Sequence, residues 1–190
     1  MDISANGLSF LKKREGLELQ AYNKDGVWTI GFGNTFYENG KPVQKGDTIT
    51  VERANSLFNT IAKRFAKDVV ALLTVKITQN QFDALVSLAY NIGIPRFKSS
   101  SLLKKVNINP ADSSIKTEFL KWAYSQNKIL SGLVNRRNLE ADLYFSDYII
   151  PFVNVPVKKF NILLIAALIG VTGVVYYTKA HKIFINWLTK

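Results

Sequence analysis

Apolar positions recur at helical spacing over most of the chain, with one interruption near the start. Ile3, Leu8, Phe10 and Leu11 are the apolar set of a short helix over 3–14, closed by basic residues. Between residues 18 and 50 the pattern breaks into short pieces, "VWTIGFG", "NGKP" and "KGDTIT", punctuated by Gly, Asn and Pro, which predict a small antiparallel sheet. From Thr50 the period becomes helical again. Ala54, Leu57, Phe58, Ile61, Phe65, Val69 and Leu72 follow three- and four-residue steps, with Thr50 as the N-cap. A second helix runs over 78–92, capped by Thr78 and ended by Gly93, with Phe82, Leu85, Val86, Ala89 and Tyr90 on its apolar face. Further helices are predicted at 99–106, 112–123 and 134–145, with turns at "NINPAD" and "SQNKILSG". Helix, small sheet, then helical bundle is an α+β arrangement with segregated parts.

Beyond residue 147 the pattern changes. Two prolines in 148–159 mark a linker, and "FNILLIAALIGVTGVVYYT" then runs 19 residues, 160–178, without a charge. At ~1.5 Å per residue this reaches about 28 Å, near the ~30 Å hydrocarbon core of a bilayer. Tyr176, Tyr177 and Trp187 stand where an interfacial aromatic belt would, and Ala166 and Gly170 form a small-xxx-small pair. The segment is expected to be a transmembrane helix, followed by a basic amphipathic tail, 179–190. The flanking lysines, Lys158 and Lys159 against Lys179, Lys182 and Lys190, do not set an orientation. The N-terminus lacks the apolar run of a signal peptide, so the mature chain is expected to start near Met1.

Composition narrows the chemistry. Cysteine is absent, which removes disulfides and thiol nucleophiles. The one histidine, His181, lies in the tail, so no histidine base serves the main domain, and a zinc site would have only carboxylates as ligands. No cofactor is expected. The net charge of +11 favours anionic partners such as nucleic acid, anionic lipid or an acidic wall polymer. No basic recognition motif accompanies the charge, so nucleic acid is not expected as a partner.

Glu15, in "REGLELQAYNKDGVWTIGFGNT", stands between the first helix and the sheet. A carboxyl partly desolvated in a cleft there has a raised pKa and can act as a general acid, with Arg136 and Arg137 of "GLVNRRNLE" as cationic partners. On residue type alone, a surface charge at a helix end is the simpler reading.

The stretch "EGLELQAY…GVWTIGFGNT" resembles the signature of the phage-type lysozymes, the endolysin family of muramidases. "QFDALVSLAYNIG", "FKSSSLLKKVN" and "GLVNRRNLEADLYF" fit the same family in order, so the resemblance covers residues 5–146. It implies a two-lobed α+β lysozyme fold over 1–147. The implied reaction is hydrolysis of the β-1,4 bond between N-acetylmuramic acid and N-acetylglucosamine, by an inverting mechanism. Glu15 matches the general acid and Thr29 the threonine that helps hold the attacking water. Arg136 matches an arginine that pairs near the acid, with Arg137 as its rival. Phe32 and Asn34, with Thr35, are candidates to line sugar subsites, and equally candidates for sheet packing.

One departure bears on the mechanism. The family places an aspartate two residues after the tyrosine, with two residues more before the glycine; here Lys24 holds that position and Asp25 directly precedes Gly26. Either Asp25 has slid into the role in a loop one residue short, or it only makes an Asp-Gly turn. Lys24 is expected to point to solvent; facing the cleft, it would lower the pKa of neighbouring carboxylates. Loss of the aspartate would suit a lytic transglycosylase, or a catalytically inactive wall-binding protein. Trp28, Trp122 and Tyr90 are expected in the core, Asp83 as a cap or facing solvent, and Glu140 as an orienting partner of Arg136. The added apolar segment implies a membrane-tethered enzyme. It would sit in the host inner membrane facing peptidoglycan, or in the membrane of a lipid-containing virion.

Overall fold

The computed structural model describes residues 1–125 and 128–146. The predicted linker, apolar segment and tail, 148–190, lie outside the described residues. Among the described residues no helix is long and apolar enough to cross a membrane.

Helix α1 spans Ala5–Lys12, and the hairpin β1 (Glu18–Lys24) and β2 (Val27–Gly31) succeeds it. Then come α2 (Val51–Val70), α3 (Gln79–Ile92), α4 (Ile94–Ser99), α5 (Ser101–Ile108) and α6 (Ile115–Leu120). A 3₁₀ turn (Lys121–Ala123), a second short hairpin of β3 (Tyr124–Ser125) and β4 (Lys128–Ile129), and α7 (Ser131–Phe145) complete the order. The helix predicted over 99–106 is α5, set two residues later, and α4 before it is an additional short helix. Gly93 at φ 87° and Pro95 in the first turn start α4, and the Ser100 hydroxyl accepts from Leu103 N at 3.1 Å to start α5. The turn predicted at "SQNKILSG" contains β4 and the start of α7.

The caps do what their chemistry requires. Thr50 accepts from Arg53 N at 3.2 Å, and Thr78 with Gln81 forms a reciprocal capping box. These two helices bring Phe58, Phe82, Leu85 and Leu88, all fully buried, into one core. Removing a ring such as that of Phe82 would cost about 3–5 kcal/mol through lost burial and the cavity left behind.

Helix α3 is the axis, packed by α1, α2, α4 and α7. Its residues 81–89 are all buried, polar ones included, because each polar group has a partner. Gln81 Nε2 donates to the Pro110 carbonyl at 2.9 Å, and Ser87 Oγ donates to Glu140 Oε1 at 2.7 Å. Asp83 neither caps its own helix nor faces solvent; it is 1% exposed and accepts from Ser4 N at 3.0 Å and from the Ser4 hydroxyl. It therefore secures the start of α1 from 79 residues away. Gly7 makes this approach feasible, since a Cβ there would stand 2.5 Å from the Asp83 carboxyl carbon. The hairpin β1–β2, extended by isolated bridges Gln20↔Thr48, Ile30↔Asn34 and Phe36↔Pro42, forms the small sheet region beside these helices.

Candidate active site

A cleft of about 590 Å³ is lined by the residues after α1, the β1–β2 hairpin, the loop beyond β2, and the inner ends of α3 and α7. Glu15 leaves α1 through a tight turn in which its N–H donates to the Lys12 carbonyl at 3.2 Å. Its side chain is 17% exposed and stands 2.8 Å from Arg136 Nη2. Burial is the largest influence on this carboxyl and pushes its pKa above the ordinary value. Arg136 and Lys24 pull it down, Glu140 pushes it up, and the net direction is upward. Its Oε1 is buried and faces Arg136 Nη2 as an ion pair whose geometry falls short of a good hydrogen bond. Gly33, at φ 81°, brings backbone close to the acid: a Cβ there would lie 3.5 Å from Glu15 Oε2.

Arg136 is itself held by Glu140, which is fully buried. Glu140 Oε1 accepts from Arg136 Nε at 3.2 Å and from Ser87 Oγ, while Oε2 stands 3.1 Å from Arg137 Nε. One carboxylate is thus shared by two adjacent arginines, and the trio keeps a net charge of one positive. Arg137 points the other way, with Nη2 donating to Asn91 Oδ1 at 2.8 Å, and burial lowers its pKa to about 10. Of the two candidate arginines, Arg136 is the one on Glu15.

The hairpin register decides which residues meet the cleft. Tyr22 pairs with Thr29 and Lys24 with Val27, and all four line it. Asn23 and Trp28, paired between them, take the opposite face by strand alternation. Lys24 is exposed, as expected, yet it also lines the cleft, and its charge reaches Glu15. Trp28 is half-exposed rather than in the core, while Trp122 packs against the core. Thr29 is 4% exposed at the cleft floor, its hydroxyl donating to the Val27 carbonyl at 3.3 Å.

Asp25 and Gly26 form the two-residue tip, at φ 52° and 87°. Positive φ at both central residues is the signature of the type I′ hairpin turn, for which Asp-Gly is a preferred pair. Gly26 N also donates to Asn23 Oδ1 at 3.0 Å. Asp25 makes the turn, and it also lines the cleft.

Phe32 and Asn34 do not line the cleft surface; Gly33 and Thr35 do. Phe32 is 4% exposed and packs on Phe58 at 5.2 Å between ring centroids. Asn34 is equally buried and donates to the Tyr90 hydroxyl at 3.4 Å. The tight turn at Gly31, φ 64°, starts the loop that directs both side chains inward. Sequence reasoning missed Arg14, Asn91 and the cleft-facing part of Tyr90. Tyr90 packs on Phe58 and Phe65 yet donates to the Phe32 carbonyl at 3.2 Å, and burial beside Glu15 raises its pKa. Its neighbours at helical spacing are all core residues, so only the exposed Asn91 beside it marked that end of α3 as a cleft wall. Among the described residues no group of three carboxylate or imidazole side chains could hold a metal ion.

The family model described as Phage lysozyme matches residues 12–140. The endolysin of Bacillus phage B103 is 39% identical over 149 residues, which is 77% of this chain and 55% of that protein; the chain spans just over half the length of that relative. Among solved structures, the endolysin from Escherichia coli O157:H7 phage FAHEc1 superposes with a TM-score of 0.70 at 38% identity, covering 77% of this chain and 95% of that one. The muramidase domain of SpmX from Asticaccaulis excentricus superposes at 0.66 with 33% identity, covering 75% and 96%.

Proposed function

The chain belongs to the phage lysozyme family, and we propose that it is a peptidoglycan glycosidase that hydrolyses the β-1,4 bond between N-acetylmuramic acid and N-acetylglucosamine. The observation that carries this reading is Glu15: a carboxyl in a polymer-sized cleft, its pKa raised by burial, its position held by Arg136. A carboxyl that keeps its proton towards neutrality can pass it to the leaving glycosidic oxygen. In this reading water attacks the anomeric carbon from the opposite face, oriented by Thr29 on the floor and Asp25 at the hairpin tip. Asp25 then has two uses, since the turn it makes also holds its carboxylate on the cleft wall. The test is Glu15→Gln, which should abolish release of reducing ends from purified walls while the protein stays folded.

One observation favours a second reading. Lys24, a cation, occupies the cleft-facing strand position and Asp25 is drawn to the tip. A lytic transglycosylase needs the acid but no water-orienting carboxylate. Its product is an anhydro sugar rather than a reducing end, so product analysis separates the two.

The uncharged run 160–178 supports a membrane tether for a catalytic domain spanning 1–147, joined by the linker 148–159. The active lobe would face peptidoglycan, from the host inner membrane or from a virion membrane. Carbonate extraction of the full chain against a variant ending at residue 147 tests this: only the full chain should stay with the membrane fraction.

A further inference from the structure

Of the cations lining the cleft, the mechanism uses only Arg136, and one of the other two has no contact of its own. The three cations are Arg14, Lys24 and Arg136. Arg136 is committed to Glu15 and Glu140. Arg14 lies 3.3 Å over the Phe10 ring and donates to the Phe10 carbonyl. Lys24 makes no ion pair and no hydrogen bond through its side chain with any described residue, and it is exposed at the cleft, paired with Val27, another lining residue. A lysine on a strand face beside two cleft-lining residues, Tyr22 and Thr29, is placed to meet what the polymer carries outside its sugar backbone.

Resting on the glycosidase reading above, we propose that Lys24 is a substrate-binding residue that takes a carboxylate of the peptide stems borne by the wall glycan. The stems are the anionic part of peptidoglycan, and the charge balance of the cleft suits them. When Glu15 carries the proton that it must donate, the lining presents three cations against the single carboxylate of Asp25. An ammonium on a flexible four-carbon stem suits a peptide carboxylate whose position varies along the polymer better than a rigid guanidinium would. The same cation also acts on Glu15, drawing its pKa down against the upward push of burial and Glu140, so substrate carboxylate held on Lys24 would weaken that pull and favour the protonated acid.

The test uses the full chain carrying Glu15→Gln, so that binding is read without turnover. Insoluble wall glycan is prepared with its stem carboxyls free, or converted to amides by carbodiimide and ammonia, and the Kd for each is measured by pelleting. The expected result is about three- to fivefold tighter binding to the free-carboxyl glycan, the size of a solvent-accessible ion pair. That preference should collapse at ~0.5 M salt. Adding Lys24→Gln should bring the ratio to about one, Lys24→Arg should keep it, and Lys45→Gln, away from the cleft, should leave it in place. A ratio near one in the parent, or a preference that survives Lys24→Gln, overturns the proposal. Failure of the unsubstituted protein to cut wall glycan would overturn the glycosidase reading instead, and leaves the binding comparison standing.

Discussion

Substitutions at Asp25 separate two jobs that one residue performs. Asp25 holds φ 52° at the tip of the β1–β2 hairpin, a conformation that Asn and Gly adopt readily and that Ala resists. Forcing a Cβ-bearing residue with no local hydrogen-bonding group into that region costs about 1–2 kcal/mol. For a domain of this size that is a fall in Tm of roughly 2–8 °C, at about 2–4 °C per kcal/mol. Asp25→Asn and Asp25→Gly should therefore melt within about 2 °C of the parent, near the limit of a surface change. Asp25→Ala should melt measurably lower. Activity should sort differently. If the carboxylate orients the attacking water, all three variants lose about 10²-fold in kcat/KM, whatever their stability. The assay pairs thermal melts with reducing-end release from purified walls at a temperature where all variants are folded. An Asp25→Asn protein that cuts at the parental rate would refute the chemical role and leave only the turn.

Packing and charge set three further outcomes. Burial raises the Glu15 pKa, so its ionised form costs the native state stability above the folded pKa, and that cost vanishes as pH falls towards the unfolded value. Glu15→Gln should accordingly melt higher than the parent at neutral pH, with the gap closing in acid, as read from Tm against pH. Glu140→Gln removes the counter-ion of two buried arginines and should destabilise by about 3–5 kcal/mol. Because Glu140 raises the Glu15 pKa and shares the charge of Arg136, the surviving activity should show its alkaline limb at lower pH, measured as kcat/KM against pH. Gly7→Ala drives a Cβ against Asp83 and should cost about 1–3 kcal/mol by overpacking, detected by urea melts.

The features legible in the sequence divide from the rest along physical lines. The starts of α2 and α3 were legible at Thr50 and Thr78 because capping is settled within three residues of the cap. The order of elements was legible because the apolar pattern takes up helical spacing where the sheet region ends. Asp83 was not legible, because its partner Ser4 lies 79 residues away and no local pattern announces it. That Lys24, though exposed, also lines the cleft was not legible, because the face it takes depends on hairpin register. Phe32 and Asn34 show the same limit: strand alternation fails at the Gly31 turn, and both side chains turn inward beyond it. At Glu15, its position between helix and sheet was visible in the sequence. The Glu140–Ser87 support beneath Arg136 needed the fold, since α3 and α7 meet only in three dimensions.

The most direct test of Glu15 as the general acid of wall-glycan hydrolysis is product analysis. Purified peptidoglycan is digested with the full chain and with Glu15→Gln, and the new chain ends are identified by mass spectrometry. A general acid at Glu15 predicts N-acetylmuramic acid reducing ends from the parent, no anhydro sugars, and no new ends from Glu15→Gln at matched folding. Anhydro ends from the parent, or undiminished reducing ends from Glu15→Gln, would contradict it.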